Sequence, residues 1–473
     1  MTLKKIFALI IIAVVAISFA ACGFTPLAQN PLSTDSVIGN GGMSVQKGDY
    51  IYFVNGYETR TEIKPDMNKY GSVIKGAIYR TKLSDGMLPL DADENIDQIE
   101  LVVPKIVGTE SCGFYVLDEL IVYTTPNSEK DKSGSLRSDL TDVCVIEING
   151  ASNKKVYTTT NANSAVKVDV KTINNKSYVI ILDGGKLVSI EIENKSVKGT
   201  HTLAEDVTGA TWSNQVNYKK PSSGSGPAVS DFDKTVFYTK ASELTSATGN
   251  IVASVNLIDK STKTLSNDNI TAYSLLFAGE GALYYTKSSP YAGLYRNVLN
   301  TPLFANSETS LQLNVKSNYF IIPSVQGGFV GGFIYTDGDG TWFKKNGEEL
   351  ATFLSSDTHT VFAYKGNIAY TRATSSMIYA IDLSASTIAP KEILASTVNA
   401  KTNGKEFMDI DNGKYIFYFA EHTNANGTSY YTHIVDLESY NVVDGYADKM
   451  IGKFTDTDKP DEEEDEEDDG HDH

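Results

Sequence analysis

The sequence has little cysteine, tryptophan and histidine, and it lacks the signatures of common catalytic sites. Three cysteines in 473 residues exclude a disulfide scaffold, so stability must come from a packed core. There is no Gly-x-Ser-x-Gly elbow, no His-Glu-x-x-His and no phosphate-cradling glycine loop. These absences disfavour common hydrolase, zinc-peptidase and nucleotide-binding sites. We therefore predict no catalytic residue, cofactor or bound metal.

Positive charge is also scarce. The chain has 41 Lys and Arg against 59 Asp and Glu, a net charge of −18. Twelve acidic residues and one lysine give residues 456–473 a charge of −11, and this tail has too little apolar content to fold. Without a basic patch to neutralise phosphates, nucleic-acid binding is not expected.

Long apolar runs are absent except at the N-terminus. Two lysines precede an apolar stretch from Ile6 to Phe19, which is too short for a comfortable transmembrane helix and is typical of a secretory signal. Phe19-Ala20-Ala21-Cys22 resembles the lipobox of bacterial lipoproteins. The resemblance implies that residues 1–22 carry a lipoprotein signal and that cleavage leaves Cys22 as the new N-terminus. Cys22 would then be acylated, including with palmitate, on the extracytoplasmic side of the cell membrane. An ordinary signal peptide that happens to contain a cysteine is the alternative.

The body of the chain is rich in residues that favour strands, including 27 tyrosines. An apolar strand that usually ends in an aromatic recurs eight times, at intervals of 35 to 70 residues. The copies are Ile51-Tyr52-Phe53, Ile121-Val122-Tyr123, Val179-Ile180-Ile181, Val236-Phe237-Tyr238, Leu283-Tyr284-Tyr285, Phe333-Ile334-Tyr335, Ile368-Ala369-Tyr370 and Ile416-Phe417-Tyr418. Another strand follows each copy, as at Ile78 to Leu83 and Ile378 to Leu383.

The repeated unit is four short antiparallel strands, which is typical of a β-propeller blade. A lone sheet cannot cover both of its faces, whereas a ring of sheets buries each face against a neighbour. We predict an all-β chain with a β-propeller of seven or eight four-stranded blades over residues 45–455. Two packed β-sandwich domains are the alternative. Residues 23–44, rich in Pro, Ser, Asn and Gly, are predicted to be a flexible tether.

The repeat resembles the propeller of the low-density lipoprotein receptor and, more distantly, TolB-like propellers. Five second strands end in Tyr-Thr, similar to the Tyr-Trp-Thr-Asp motif but without its Trp and Asp: Tyr123-Thr124, Tyr238-Thr239, Tyr285-Thr286, Tyr335-Thr336 and Tyr370-Thr371. The resemblance implies a fold more than a function.

Three acidic clusters have oxygen ligands of the kind that calcium prefers, but hairpin turns or solvated loops are the interpretation favoured here. They are Asp91 to Asp97, Asp337-Gly338-Asp339-Gly340 and Asp409 to Gly413. The remaining cysteines, Cys112 and Cys144, are predicted to be unpaired. They fall near the first and third strands of one unit, about 9–10 Å apart, and a disulfide seldom spans more than about 7 Å between Cα atoms.

We predict a non-enzymatic binding or scaffold module for a protein, peptide or glycan. A glycan hydrolase or lyase with carboxylates in the propeller channel is the alternative, and a passive surface-coat component is a third possibility. Loops between second and third strands are long in unit one (Asn55 to Ala77) and unit two (Thr125 to Asp142) and moderately long in unit eight (Glu421 to Tyr430). Ring closure would place unit eight beside unit one, so the three loops would lie in one sector. The residues predicted to form a ligand face there are Tyr57, Arg60, Lys64, Tyr70, Lys130, Arg137, His422 and Tyr430.

Overall fold

The computed structural model describes residues 26–451 with internal gaps. The gaps are 57–65, 69–70, 74, 86–87, 89–98, 108–112, 136, 138, 161–165, 214–230, 243–247, 268–269, 280, 299–307, 315, 325–327, 374–377, 395–399, 402–414, 425–426 and 442–444. Cys22, Cys112 and the acidic tail therefore lie outside the described residues. Among those residues, no helix is long and apolar enough to span a bilayer.

The first four blades are built from consecutive stretches of chain. Blade 1 contains β1 (Val37–Ile38), β2 (Ser44–Lys47), β3 (Tyr50–Val54), a separate hairpin of β4 (Asp66–Asn68) and β5 (Gly71–Val73), β6 (Ile78–Lys82) and β7 (Glu100–Val103). Blade 2 contains β8 (Tyr115–Val116), β9 (Leu120–Pro126), β10 (Thr141–Glu147) and β11 (Lys154–Thr158). Blade 3 contains β12 (Lys167–Ile173), β13 (Lys176–Asp183), β14 (Lys186–Glu193) and β15 (Ser196–Ala204). Blade 4 contains β16 (Val207–Trp212), β17 (Thr235–Ala241), β18 (Asn250–Asn256) and β19 (Thr262–Asn267).

The last four blades follow the same plan. Blade 5 contains β20 (Tyr273–Gly279), β21 (Ala282–Lys287), β22 (Gly293–Val298) and β23 (Glu308–Leu313). Blade 6 contains β24 (Ser317–Ile322), β25 (Gly332–Asp337), β26 (Gly340–Lys345) and β27 (Thr352–Ser355). Blade 7 contains β28 (His359–Lys365), β29 (Ile368–Ala373), β30 (Ile378–Asp382) and β31 (Pro390–Leu394). Blade 8 contains β32 (Ala400–Lys401), β33 (Tyr415–Asn424), β34 (Gly427–Asn441) and β35 (Gly445–Ile451).

All eight repeats are second strands of their sheets, as predicted. Over the described residues, seven blades have four strands each, and blade 1 has β1 as a fifth strand beside β2. We call the four repeated strands of each blade A to D. Antiparallel pairing then puts the A–B and C–D turns on one face of the disc, the A–B face. The B–C and D–A connections lie on the opposite face, the B–C face.

Alternate residues of one strand contribute to two different cores. In β13, Val179 and Ile181 pack into a cluster shared with blade 2. The intervening Tyr178 and Ile180 pack into a cluster shared with blade 4. Successive strand side chains point to opposite faces, and in a propeller both faces are covered. This is why the second strands are apolar throughout, whereas a strand with one exposed face would alternate apolar and polar residues.

Packing between blades 8 and 1 closes the ring. The Phe53 and Phe417 ring centroids are 6.4 Å apart. The Thr432 hydroxyl accepts a hydrogen bond from the Gly56 amide at 2.7 Å and donates one to the Val54 carbonyl at 2.6 Å. No strand is exchanged between the two blades over the described residues, so side chains hold this junction. The β-propeller prediction is confirmed, and the two-sandwich alternative is wrong.

The N-terminal segment departs from the predicted tether. Residues 26–44 are described as part of the folded body, and β1 pairs with β2 as the edge strand of blade 1. The Leu27 amide donates to the Asn149 carbonyl of blade 2 at 2.9 Å. The composition of residues 23–44 favoured a flexible chain, because composition carries no information about hydrogen bonds to distant residues. The tether prediction is wrong over this part of residues 23–44.

Candidate binding face

The B–C connections differ greatly in length from blade to blade. They comprise two residues in blades 3 and 6, residues 184–185 and 338–339. Blade 1 instead uses residues 55–77, which include the β4–β5 hairpin, and blade 2 uses residues 127–140. Blades 1 and 2 are neighbours in the ring, so these two longest connections occupy one sector, and ring closure places blade 8 on the other side of blade 1.

In blade 8 the sequence predicted a loop from Glu421 to Tyr430, and the structure instead has paired strands. Glu421 pairs with Tyr430, and the ladder continues to Asn424 opposite Gly427. β33 has 10 residues, whereas the equivalent strand of blade 7 has 6. At about 3.3 Å per residue, β33 is roughly 13 Å longer than the equivalent strand of blade 7.

The blade 2 connection is held by internal hydrogen bonds. Its first residue, Asn127, is fully buried and donates from Nδ2 to Asp142 Oδ1 at 2.9 Å. The Asn127 side-chain oxygen accepts from the Glu129 amide at 2.8 Å, and the Asn127 amide donates to the Leu140 carbonyl at 3.0 Å. These contacts preorganise the loop, which lowers the entropic cost of binding through it.

The tip of the same loop is also ordered by its own side chains. Asp131 Oδ1 accepts from the Ser133 hydroxyl and amide and from the Ser135 amide, and these bonds lower the pKa of the carboxyl. The Arg137 guanidinium forms a bidentate pair with Asp139, with Nη2 and Nε each 2.9 Å from a carboxylate oxygen. Arg137 is therefore already paired, which makes it a weaker anionic-ligand anchor than the sequence implied.

The structure describes only some of the predicted ligand-face residues. Tyr57, Arg60, Lys64 and Tyr70 lie outside the described residues. Lys130 and Arg137 are in the blade 2 connection, and Lys130 is exposed. His422 and Tyr430 lie on β33 and β34, where their backbone positions are described.

Blades 1 and 8 also meet directly at the base of their B–C connections. Lys75, near the end of the blade 1 connection, places its ammonium 5.8 Å from the ring centroid of Tyr431 on β34. Tyr431 is fully buried. The blade 1 connection and the blade 8 hairpin therefore rise from one continuous base.

The acidic cluster Asp337-Gly338-Asp339-Gly340 forms a hairpin turn. Asp337 pairs with Gly340, and Gly340 has a φ of 136°. Burial alone would raise the pKa of the Asp337 carboxyl, but hydrogen bonds from the Trp342 indole and the Lys316 ammonium lower it. Among the described residues, no three His, Cys, Asp or Glu side chains are placed to hold a metal ion. The clusters at Asp91 and Asp409 lie outside those residues.

A groove on the A–B face was not predicted from the sequence. It lies between blades 6 and 7, has a volume of about 540 Å³, and is formed by turns between strands A and B and between C and D. The rings of Phe329 and Phe343 stack in it at 6.3 Å, and Lys345 pairs with Glu348 at 3.4 Å. Its residues come from two repeats, so no local motif marks it.

Comparison with known proteins finds similarity only at the level of solved structures. A prolyl endopeptidase aligns with a TM-score of 0.44 and 11% identity, over 86% of this chain and 55% of that one. TolB from Acinetobacter baumannii aligns at 0.30 with 9% identity, over 71% and 78%. The propeller domain of the trilobed protease from Pyrococcus furiosus aligns at 0.35 with 9% identity, over 76% and 96%.

No family model and no curated protein matches the chain. The chain spans about half the length of the prolyl endopeptidase with which it aligns. The strand pairing itself establishes the propeller fold. At these similarities no activity carries over from the aligned proteins.

Proposed function

We propose that the protein is a lipid-anchored extracytoplasmic lipoprotein whose propeller binds a protein, peptide or glycan without catalysing a reaction. The single observation that supports binding is that the long B–C connections of blades 1 and 2 and the extended β33–β34 hairpin of blade 8 occupy one sector of one face. The internal bonds of the blade 2 connection favour a prepared surface over a tolerated insertion.

The proposed ligand sector combines a protruding hairpin with two long connections. A surface with such projections suits a partner that is contacted from several sides, as in protein or glycan recognition. Tyrosine and arginine, as at Tyr57, Arg60 and Tyr70, are of the types that often anchor partners. Variants that replace a whole connection are therefore a better first test of this sector than single substitutions.

Partner capture tests the proposal. The propeller body, residues 26–455, is used as bait on envelope extract and on a glycan array, beside a variant in which residues 421–430 are replaced by an Asn-Gly turn. The matched control shortens the B–C connection of blade 4, residues 242–249. We expect loss of the specific ligand in the blade 8 variant alone, with unchanged Tm. Equal capture by both variants would contradict the proposed sector.

Anchoring is tested separately through Cys22. In cells labelled with palmitate, a Cys22→Ala variant should lose the label and leave the membrane fraction, because the proposed acyl acceptor is gone. A Cys112→Ser variant is the matched control and should keep both the palmitate label and its place in the membrane fraction. Undiminished labelling of the Ala variant would show that Cys22 is not the lipid attachment site.

A further inference from the structure

The N-terminal strap, residues 26–38, docks along a defined path across blades 1 and 2. It begins on the A–B face, where the Leu27 amide donates to the carbonyl of Asn149 in the C–D turn of blade 2. The Leu27 side chain packs on the core cluster that joins blades 8, 1 and 2. The start of the strap is therefore attached to one particular sector of the disc.

A buried arginine holds the next residues of the strap. Arg80 on β6 is fully buried, and its Nη1 donates to Asn30 Oδ1 at 2.9 Å while its Nη2 donates to the Gln29 carbonyl. Its Nε pairs with Glu100 at 2.8 Å. A buried guanidinium is costly unless its donors are satisfied, and releasing the strap would remove the Asn30 and Gln29 acceptors of Arg80 inside blade 1.

A buried lysine holds the middle of the strap. Lys47, at the A–B end of β2, donates from Nζ to the carbonyls of Ser33 and Asp35 at 3.4 and 3.3 Å. The Gly48 amide donates to the Ser36 carbonyl at 3.2 Å. From there β1 runs antiparallel to β2 toward the B–C face. Backbone and side-chain bonds thus secure the strap along its length.

We infer that the strap orients the propeller with the A–B face of blades 1 and 2 toward the membrane and the B–C face away from it. The inference rests on the proposed lipid at Cys22. Cys22 precedes Leu27 by five residues, and an extended chain spans at most about 3.5 Å per residue, so the lipid lies within roughly 17 Å of the Leu27 attachment point.

This short reach changes the expected behaviour of the anchored protein. A free tether over residues 23–44 would have a root-mean-square length of roughly 25 Å and would let the body tumble. With the strap docked, only the residues before Leu27 remain to span that gap. The hairpin of blade 8 then points outward, and the groove between blades 6 and 7 is on the membrane side.

Two labelling positions in blade 2 test the orientation. The full lipidated chain carries Cys112→Ser and Cys144→Ala, with a single new cysteine at Glu119→Cys in the A–B turn or at Lys132→Cys in the B–C connection. Both native residues are exposed. Each variant carries a fluorophore on the new cysteine and is reconstituted in phosphatidylcholine vesicles that contain an acceptor-labelled lipid. We expect at least twofold greater energy transfer from position 119 than from position 132.

A third variant tests whether the strap is the cause. An insertion of about 20 Gly and Ser residues after Thr25 adds a flexible linker with a root-mean-square length of roughly 25 Å, similar to that of the free tether described above. This variant should lose most of the difference in energy transfer between the two positions. Equal or reversed transfer in the original chain, or an undiminished difference after insertion, overturns the inference. Failure of the original chain to float with vesicles contradicts the anchoring proposal instead, which separates the two ideas.

Discussion

Lys171 is a buried cation between blades 3 and 4. Its ammonium donates to Ser213 Oγ at 2.8 Å and to the Asp233 carbonyl at 2.7 Å. Burial lowers the pKa of Lys171 to about 8, and the nearby Asp169 and Asp233 only partly offset that effect. Lys171 lies on β12, where Lys167, Asp169 and Lys171 occupy every second position. This polar pattern was not predicted to be a buried charged site.

The lowered pKa predicts a rise in stability with pH. Between pH 8 and 10.5 the unfolded chain keeps the Lys171 proton while the folded chain releases it, so the free energy of unfolding increases across this window. The full increment is roughly 3 kcal/mol, because each pKa unit corresponds to about 1.4 kcal/mol. Urea unfolding across this range measures the increment.

A pair of variants isolates this contribution. Lys171→Met should lose the rise, whereas Lys176→Met, which removes a partly exposed lysine from the neighbouring strand, should retain it. Identical pH profiles for the wild type and Lys171→Met would show that this lysine does not titrate in that window.

Cys144 has a free, buried thiol in the middle of β10, which agrees with the prediction that it is unpaired. Burial, followed by the nearby Asp142 carboxylate, raises the pKa of this thiol to about 11. The reactive thiolate is therefore rare at neutral pH. Cys112 lies outside the described residues, so its pairing stays a prediction.

Thiol counting tests both cysteines. The propeller body, unfolded without reductant, should show two thiols, and a folded Cys112→Ser variant should show none on the minute scale at pH 8, because Cys144 is buried. Rapid modification of the folded variant would mean that blade 2 opens readily. Absence of thiols in the unfolded wild type would mean that the two cysteines are paired.

At the scale of elements, β33 shows how one strand serves two interfaces. Phe417 and Phe419 pack with blade 1, and the intervening Ile416 and Tyr418 pack with blade 7. The sequence predicted this strand because its apolar run is local. It mispredicted the extension from Glu421 to Tyr430 as a loop, since those residues are polar and their strand character comes only from pairing with each other.

Removal of the Phe417 ring should weaken ring closure. Phe417→Ala leaves a cavity at the junction of blades 8 and 1, and we expect a loss of about 3–5 kcal/mol in the free energy of unfolding. Leu350→Ala, at an 83% exposed position, is the control and should change stability by less than about 0.5 kcal/mol. Similar midpoints in urea would argue that the junction does not contribute to global stability.

At the scale of the whole molecule, the ring is closed by contacts between residues far apart in sequence. Thr432 donates to Val54 across 378 positions, and each blade is otherwise made from one stretch of chain. Packing of an apolar face against each neighbour is what favours a closed ring over separate sheets.

Deletion of residues 456–473 should leave the Tm within a few degrees of wild type. The segment has almost no apolar side chains to bury, so it has little with which to offset the conformational entropy of ordering it. Differential scanning calorimetry of the propeller body and the tailed chain measures the difference. A larger drop on deletion would show that the tail docks on the blades.

The sequence by itself determined the strands, the four-stranded unit and the all-β class, because short apolar runs, aromatic enrichment and short turns are local signals. Gly184 and Gly185, for example, both adopt positive φ in the two-residue turn that joins β13 to β14. Only the tertiary structure decided the fifth strand of blade 1, the ring closure at Thr432 and the docking of the strap on Arg80. The ring closure and the strap docking depend on contacts between residues that are distant in the chain, and β1 has only two residues, so none of the three leaves a periodic trace in the sequence.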